Sequence, residues 1–264
     1  MTVSYERRGS GEPLLLIHGL GSRWQIFEPV LDILAGYHDV IAVDLPGFGS
    51  TPPAPVSAPS ADSYAHWVAS SLLPELGIRR PHIVGNSLGG GIGLELARMN
   101  AAATVTCFSP IGFWGRTGQL WCQALLTVLR GAGIYTPRLV DAGLRRPWSR
   151  TLLLAPLIGR PTRVSLEVAR GDTAGLVGAT SFKAARNSFT GYRIESNPPM
   201  QVPVTIAWGT RDFLLPHRTQ ARRARDILPR AQHVDLPGCG HLPFSDDPAL
   251  CAATILERTG NQSR

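Results

Sequence analysis

Short apolar runs alternate along this chain with longer amphipathic segments. Short apolar runs favour strands that are buried on both faces, and apolar residues at helical spacing favour covering helices. The alternation therefore predicts an α/β fold in which helices flank a mostly parallel sheet. The predicted parallel strands are residues 14–17, 40–43, 82–84, 104–108, 204–207 and 232–236. Residues 3–8 alternate in polarity and predict an antiparallel edge strand.

Several of these runs end in turns rich in glycine, proline or aspartate, with the sequences HGLGS, DLPGFGS, GNSLGG and WGTRD. In open α/β sheets, ligands bind at the carboxyl ends of the strands. The polar residues of these turns are therefore predicted to gather at one edge of the sheet and to form the functional site.

The alternation stops between about residues 112 and 195. Apolar helical segments at 119–130, 137–144 and 151–158 are separated by glycine and proline, without a convincing strand pattern. We predict that residues 112–195 form a helical insertion, a cap, in a core domain of residues 1–111 and 196–264. Its apolar side chains are candidates for the roof of a pocket. They are Trp114, Trp121, Leu125, Leu126, Leu129, Tyr135, Trp148, Leu152, Leu153 and Leu154.

The composition is typical of a globular protein and argues against two kinds of partner. Hydrophobic residues make up 44% of the 264 residues, and charged residues make up 17%. The net charge is +7, but the arginines are scattered and no nucleic-acid-binding motif occurs, so we expect no nucleic acid partner. No apolar run approaches the roughly 20 residues that span a bilayer, and the N-terminus lacks the apolar core of a signal peptide. We expect a cytoplasmic protein without a membrane span.

One serine lies in a glycine-rich turn between a predicted strand and a predicted helix, in the sequence PHIVGNSLGGGIG. Gly85, Ser87 and Gly89 fit the G-x-S-x-G pattern of a nucleophile elbow. The sharp turn strains the serine backbone, and the two glycines remove side chains that would clash there. The amide of Leu88, at the start of the helix, is placed to bind an oxyanion. Ser87 is the predicted nucleophile.

Chain order suggests the general base and its carboxylate partner. His241 follows the last predicted strand, in GCGHLPFSDDP, and Asp212 follows the strand before it, in WGTRDFLLP. The order Ser87, Asp212, His241 is the nucleophile, acid and base order of this fold. Asp44, in DLPGFGS, is the main competitor for the acid, although its early position suits a structural turn better. Asp235 is less suitable because it points from a strand.

A second oxyanion donor is expected in the sequence LLLIHGLGS. The chain turns at His18 and Gly19 after the strand at residues 14–17, and the amide of Leu20 is predicted to face the site. We expect His18 to hold this loop rather than to catalyse, because oxyanion holes use backbone N–H groups.

Taken together, HGLGSRW, DLPGFGSTP, GNSLGGG, WGTRDFLLP and GCGHLP resemble the α/β-hydrolase superfamily, in its order and over residues 3–260. The resemblance implies an eight-stranded, mostly parallel sheet with a helical cap after the sixth strand. The chain looks most like bacterial esterases, cofactor-free haloperoxidase-like hydrolases and meta-cleavage-product hydrolases. In this superfamily a dehalogenase or an epoxide hydrolase would have aspartate at position 87.

These observations favour a serine hydrolase that cleaves a small or medium apolar ester through an acyl-enzyme. The expected partner is a small apolar substrate, and no metal or organic cofactor is implied. Two other functions remain open. A carbon–carbon bond hydrolase uses the same triad, and a ligand receptor can retain a triad with low turnover.

Overall fold

The structure is a computed structural model that describes residues 2–53, 58–195 and 200–260. One seven-stranded sheet has the order β1-β3-β2-β4-β5-β6-β7. Its strands are β1 (Tyr5–Gly9), β2 (Pro13–Ile17), β3 (Asp39–Val43), β4 (His82–Asn86), β5 (Val105–Phe108), β6 (Val204–Gly209) and β7 (Gln232–Leu236). β1 pairs antiparallel with β3, and every other pair in the sheet is parallel. Each predicted strand occurs, with small shifts at its ends.

The sheet differs from the resemblance in one respect. It has seven strands in the described residues rather than eight, and the helical insertion follows the fifth strand rather than the sixth. Two strands follow the insertion in both descriptions, so the missing strand belongs before it. The seven apolar or alternating runs of the sequence account for all seven strands, and the eighth was implied by the resemblance alone.

Helices cover the sheet and form the insertion. They are α1 (Glu28–Ala35), α2 (Ala61–Trp67), α3 (Leu73–Glu75), α4 (Leu88–Arg98), α5 (Arg116–Tyr135), α6 (Pro137–Arg145), α7 (Pro147–Leu154), α8 (Leu166–Gly178), α9 (Phe182–Ser188), α10 (His217–Ile227), α11 (Pro243–Asp246) and α12 (Pro248–Thr259). A π-helical turn, Val68–Leu72, joins α2 to α3.

The parallel strands are apolar throughout because both of their faces are buried. Leu15 and Ile41 point into a core that includes apolar side chains of α2, α4 and α10. Their neighbours Leu14 and Val40 point into a second core with α1 and α12. Successive side chains of a strand point to opposite faces, so one apolar run serves both cores. This packing fixes the carboxyl ends of the strands along one edge of the sheet.

The insertion is attached to the core at its end and has a small core of its own. Leu144, Ile158 and Val164 pack together with residues of α6 to α8. Phe182, on α9, instead packs in the main core. The boundary predicted at residues 195 and 196 adjoins residues 196–199, which lie outside the described residues, so both domain boundaries stay predictions. Among the described residues, no helix is long and apolar enough to cross a bilayer.

Candidate active site

Ser87 occupies the sharp turn between β4 and α4. Its backbone angles are φ 56° and ψ −113°, a conformation that non-glycine residues seldom adopt. The surroundings hold this conformation in place: the Ser87 amide donates to the carbonyl of Phe108 at 2.9 Å, and the Ser87 carbonyl accepts from Gly91 and Ile111. Strained residues of this kind cluster at active sites. The local structure is therefore that of a nucleophile elbow.

The two glycines of the pattern are required by close backbone contacts. A Cβ atom at Gly85 would lie 2.1 Å from the carbonyl oxygen of Gly89, and one at Gly89 would lie 2.0 Å from that of Ile17. Both distances are far below van der Waals contact. Only glycine at these positions lets β4 turn into α4 while α4 packs against β2.

The structure brings Asp212 and His241 together in a buried pair. The distance from Nδ1 of His241 to Oδ2 of Asp212 is 2.9 Å, and the side chains are 4% and 0% exposed. Asp212 also accepts a hydrogen bond from the amide of Leu215 at 2.8 Å. Because the carboxylate accepts at Nδ1, the neutral ring carries its proton there and presents a lone pair at Nε2. The ring is thus arranged to act as a base.

Asn86 connects the serine turn to the histidine loop. Its Nδ2 atom donates to the carbonyl of His241 at 3.0 Å and to that of Phe108 at 3.2 Å. The preceding residue of the elbow therefore sets the height of the His241 loop over the sheet. The sequence offered no signal for this role, because a backbone carbonyl is independent of residue type.

Asp44 and His18 have other tasks. The two carboxylate oxygens of Asp44 accept from the amides of Trp24 and Ser50, each at 2.8 Å, so this acid closes a turn. Nε2 of His18 accepts from the amide of Leu45 at 3.0 Å, and Nδ1 lies 2.7 Å from the carbonyl of Gly19. Burial lowers the pKa of His18, although Asp44 partly opposes this effect. His18 is thus a neutral ring that holds the loop before Leu20.

Comparison with known proteins identifies the family. The profile of the Alpha/beta hydrolase family matches residues 14–254. The chain belongs to the alpha/beta hydrolase family. It is 31% identical over 188 residues to an epoxide hydrolase of Mycobacterium tuberculosis, which covers 69% of this chain and 87% of that protein. It is 24% identical over 240 residues to Lipase 3 of a Moraxella strain, which covers 89% of this chain and 73% of the lipase.

Solved structures agree with this assignment of the fold. An esterase from Thermogutta terrifontis superposes on this hydrolase with a TM-score of 0.75 at 22% sequence identity, and the match covers 97% of this chain and 92% of the esterase. At this identity the likeness supports the fold alone.

A single cavity of about 140 Å³ brings the predicted site residues of this hydrolase together. Ser87, His241 and Leu20 all line it, beneath side chains of the insertion. Four of the ten predicted roof residues contribute to the lining: Leu126, Leu129, Leu153 and Leu154. The others do not, since Trp114 is buried in the main core and four more point outward: Trp121, Tyr135, Trp148 and Leu152. Leu125 packs partly buried against the main core.

The two predicted oxyanion donors lie on either side of the serine turn. Leu20 is in the turn after β2, and Leu88 is the first residue of α4. The first amides of a helix have no partner within that helix and carry partial positive charge. A Cβ atom at Gly19 would come within 3.0 Å of the Ser87 Cβ atom, so the Leu20 turn approaches the serine closely.

Asp246 is a residue of the site that the sequence did not reveal. It is fully buried, and its carboxylate accepts from the amides of Gly159 at 2.9 Å, Arg160 at 2.5 Å and Gly240 at 2.7 Å. Gly240 directly precedes His241, and the other two amides belong to the insertion. From sequence, Asp246 and Asp247 were equivalent candidates to cap the last helix. The structure gives that task to Asp247, which accepts from the amide of Leu250.

Proposed function

We propose that this hydrolase cleaves small or medium apolar esters through a covalent acyl-enzyme, with Ser87, His241 and Asp212 as its catalytic triad. The proposal rests mainly on one observation: the buried Asp212–His241 pair and the strained Ser87 share one cavity. A serine hydroxyl needs an adjacent base to become a nucleophile, and the base needs a carboxylate to fix its tautomer.

In the proposed reaction, Ser87 attacks the ester carbonyl while Nε2 of His241 takes the hydroxyl proton. Asp212 stabilises the imidazolium that forms. The amides of Leu20 and Leu88 hold the negative oxygen of the tetrahedral intermediate. His241 then gives its proton to the departing alcohol. A water molecule, deprotonated by His241, attacks the acyl-enzyme, and release of the acid restores Ser87.

The lining of the cavity supports a substrate that is mainly aliphatic. Leucine side chains predominate, among them Leu126 on α5, Leu144 on α6 and Leu176 on α8. Burial of apolar substrate surface against them drives binding. We assign the helical insertion the role of a cap, because its helices supply much of this lining.

The epoxide hydrolase among the relatives raises a second possible reaction, which the serine argues against. A serine oxygen that opened an epoxide would form an ether with the substrate. Water does not readily cleave an ether, so such an enzyme would stop after one turnover. Attack of Ser87 on an ester instead gives an acyl-enzyme that water can hydrolyse. This chemistry favours carbonyl substrates.

The test is hydrolysis of p-nitrophenyl esters of increasing acyl length by the wild type, Ser87→Ala and Ser22→Ala. Ser22 also lines the cavity but lies outside the elbow, so it is the matched control. We expect Ser87→Ala to lower turnover by at least about a thousandfold, as loss of a triad member does elsewhere. Ser22→Ala should retain most activity.

Other outcomes point to the alternative functions. If a fluorophosphonate labels Ser87 but no ester is cleaved, vinylogous diketones become the substrates to test for carbon–carbon hydrolysis. Absence of both turnover and labelling would contradict the enzymatic proposal and favour a ligand receptor.

A further inference from the structure

One acidic side chain interrupts the aliphatic lining of the cavity. Asp172, on α8, is the sole carboxylate among the described residues that line it. Its side chain is 25% exposed. Burial raises the pKa of Asp172 to about 6, and Arg23 acts in the opposite direction. A carboxylate that is so poorly solvated needs a reason to be there, because burial of a charge without partners is unfavourable.

The partners of Asp172 are incomplete. Within residues 2–53, 58–195 and 200–260, its carboxylate accepts no hydrogen bond, and its one ionic neighbour is Nη2 of Arg23 at 4.0 Å. An ion pair that only stabilises the fold looks different in this chain. Arg7 and Asp39 form two hydrogen bonds of 2.8 and 2.6 Å. Asp172 therefore keeps its capacity to accept hydrogen bonds from another molecule.

Arg23 is held at this distance by the shape of α8. Its guanidinium lies over the helix where two glycines expose the backbone. A Cβ atom at Gly171 would lie 1.9 Å from Nη2 of Arg23, and one at Gly175 would lie 3.3 Å from its Cδ atom. Arg23 thus supplies a fixed counter-charge to Asp172 from outside the cavity, without occupying the acceptor sites of the carboxylate.

We propose that Asp172 is a specificity-determining residue that accepts a hydrogen bond from a neutral donor on the substrate, a hydroxyl or amide N–H group on an otherwise aliphatic chain. This inference rests on the proposed ester hydrolysis and narrows its substrate class. The donor is neutral because Arg23 already balances the carboxylate, so an ammonium group would meet the Arg23 charge and lose its own hydration. A substrate without the donor leaves the carboxylate desolvated and unpaired, which is the basis of discrimination.

The experiment compares methyl esters of ω-hydroxy acids with methyl esters of alkanoic acids that have one more carbon, so that each pair has equal length. A ladder of chain lengths finds the position at which the hydroxyl reaches Asp172. The readout is the ratio of kcat/KM for the hydroxy ester to that for the alkyl ester. ω-Amino esters form a third series that tests the charge of the donor.

We expect this ratio to peak at one chain length in the wild type and to fall at least tenfold there in Asp172→Leu. Asp172→Asn keeps a carbonyl acceptor and should hold the ratio within about threefold of the wild type. Thr173→Val is the matched control. Its hydroxyl lines the same wall but already donates to the carbonyl of Ala169, so the ratio should not change.

Two results overturn the inference. The first is a wild type that favours the alkyl ester at every length, which decides the matter even if Asp172→Leu does not fold. The second is a wild-type preference for the ammonium series over the hydroxyl series. Hydrolysis of p-nitrophenyl acetate tests the proposed function separately, because loss of that activity implicates the triad rather than Asp172. Calorimetric binding of the same ester pairs to Ser87→Ala tests the contact without turnover.

Discussion

The buried carboxylate of Asp246 joins the helical insertion to the loop of the proposed catalytic base. One oxygen accepts from the amides of Gly159 and Gly240, and the other accepts from the amide of Arg160. In addition, the amide of Leu242 donates to the carbonyl of Leu157 at 2.9 Å. The residues on both sides of His241 are therefore held by the insertion. Asp246→Asn should weaken this junction while changing the side-chain volume very little.

The expected cost follows from the number of donors. An asparagine has one carbonyl oxygen, so its amide nitrogen must face at least one of the three buried N–H groups. A hydrogen bond to a charged group is worth about 1.5–3 kcal/mol, and a buried donor without an acceptor costs about 1–3 kcal/mol. We expect the variant to lose about 3–5 kcal/mol of unfolding free energy. Since a displacement of about 1 Å can cost a hundredfold in rate, we also expect kcat/KM to fall at least tenfold.

Urea unfolding and the hydrolysis of p-nitrophenyl acetate measure the two effects. Asp247→Asn is the matched control, because Asp247 is adjacent in sequence, caps α12 through the amide of Leu250 and contacts Arg160 at 3.1 Å. Asparagine is as good an N-cap as aspartate, so the control should lose less than about 1 kcal/mol. Equal losses in the two variants, or full activity in Asp246→Asn, would refute the reasoning.

Two further predictions concern other acids. Asp212→Asn should lower kcat for p-nitrophenyl acetate by about 10⁴-fold, whereas Asp44→Asn should mainly lower thermal stability, and an equal or larger effect of Asp44→Asn on kcat would reverse the assignment of the acid. Burial raises the pKa of Asp172 to about 6, so folding takes up a proton between about pH 4 and 6, and stability falls as pH rises through that window. Asp172→Asn should therefore be more stable than the wild type at pH 8, by about 2–3 kcal/mol in urea unfolding, with the difference vanishing near pH 4. A difference independent of pH would contradict this.

The sheet could be predicted well because burial on both faces leaves a plain signal in the sequence. Runs such as residues 14–17 are apolar at every position, and the strands occur where these runs occur. Helix ends in the insertion were predicted less well. The segment predicted at 151–158 is the helix Pro147–Leu154, because proline at the first position starts a helix that the apolar pattern alone places later. The apolar stretch that follows packs in the small core of the insertion instead of extending the helix.

The candidate triad could be predicted because each member carries a local signal. Ser87 has the glycine spacing that the turn requires, and Asp212 and His241 each follow a strand whose carboxyl end faces the same edge of the sheet. The structure adds that Asp212 and His241 are hydrogen bonded, which chain order alone does not establish. The catalytic roles remain predictions for the turnover assays.

Asp246 and Asp172 had no such signal, and the reason is physical. The partners of Asp246 are backbone amides, two of which lie more than 80 residues away, and every residue type except proline offers such an amide. Asp172 lies within a helix, where an acid is ordinarily solvated. Its environment depends on the cavity and on Arg23, which reaches it across two glycines from a distant loop. Residues that act through the backbone or through a tertiary cavity become visible only in the fold, and in this hydrolase they are the ones proposed to position the base and to select the substrate.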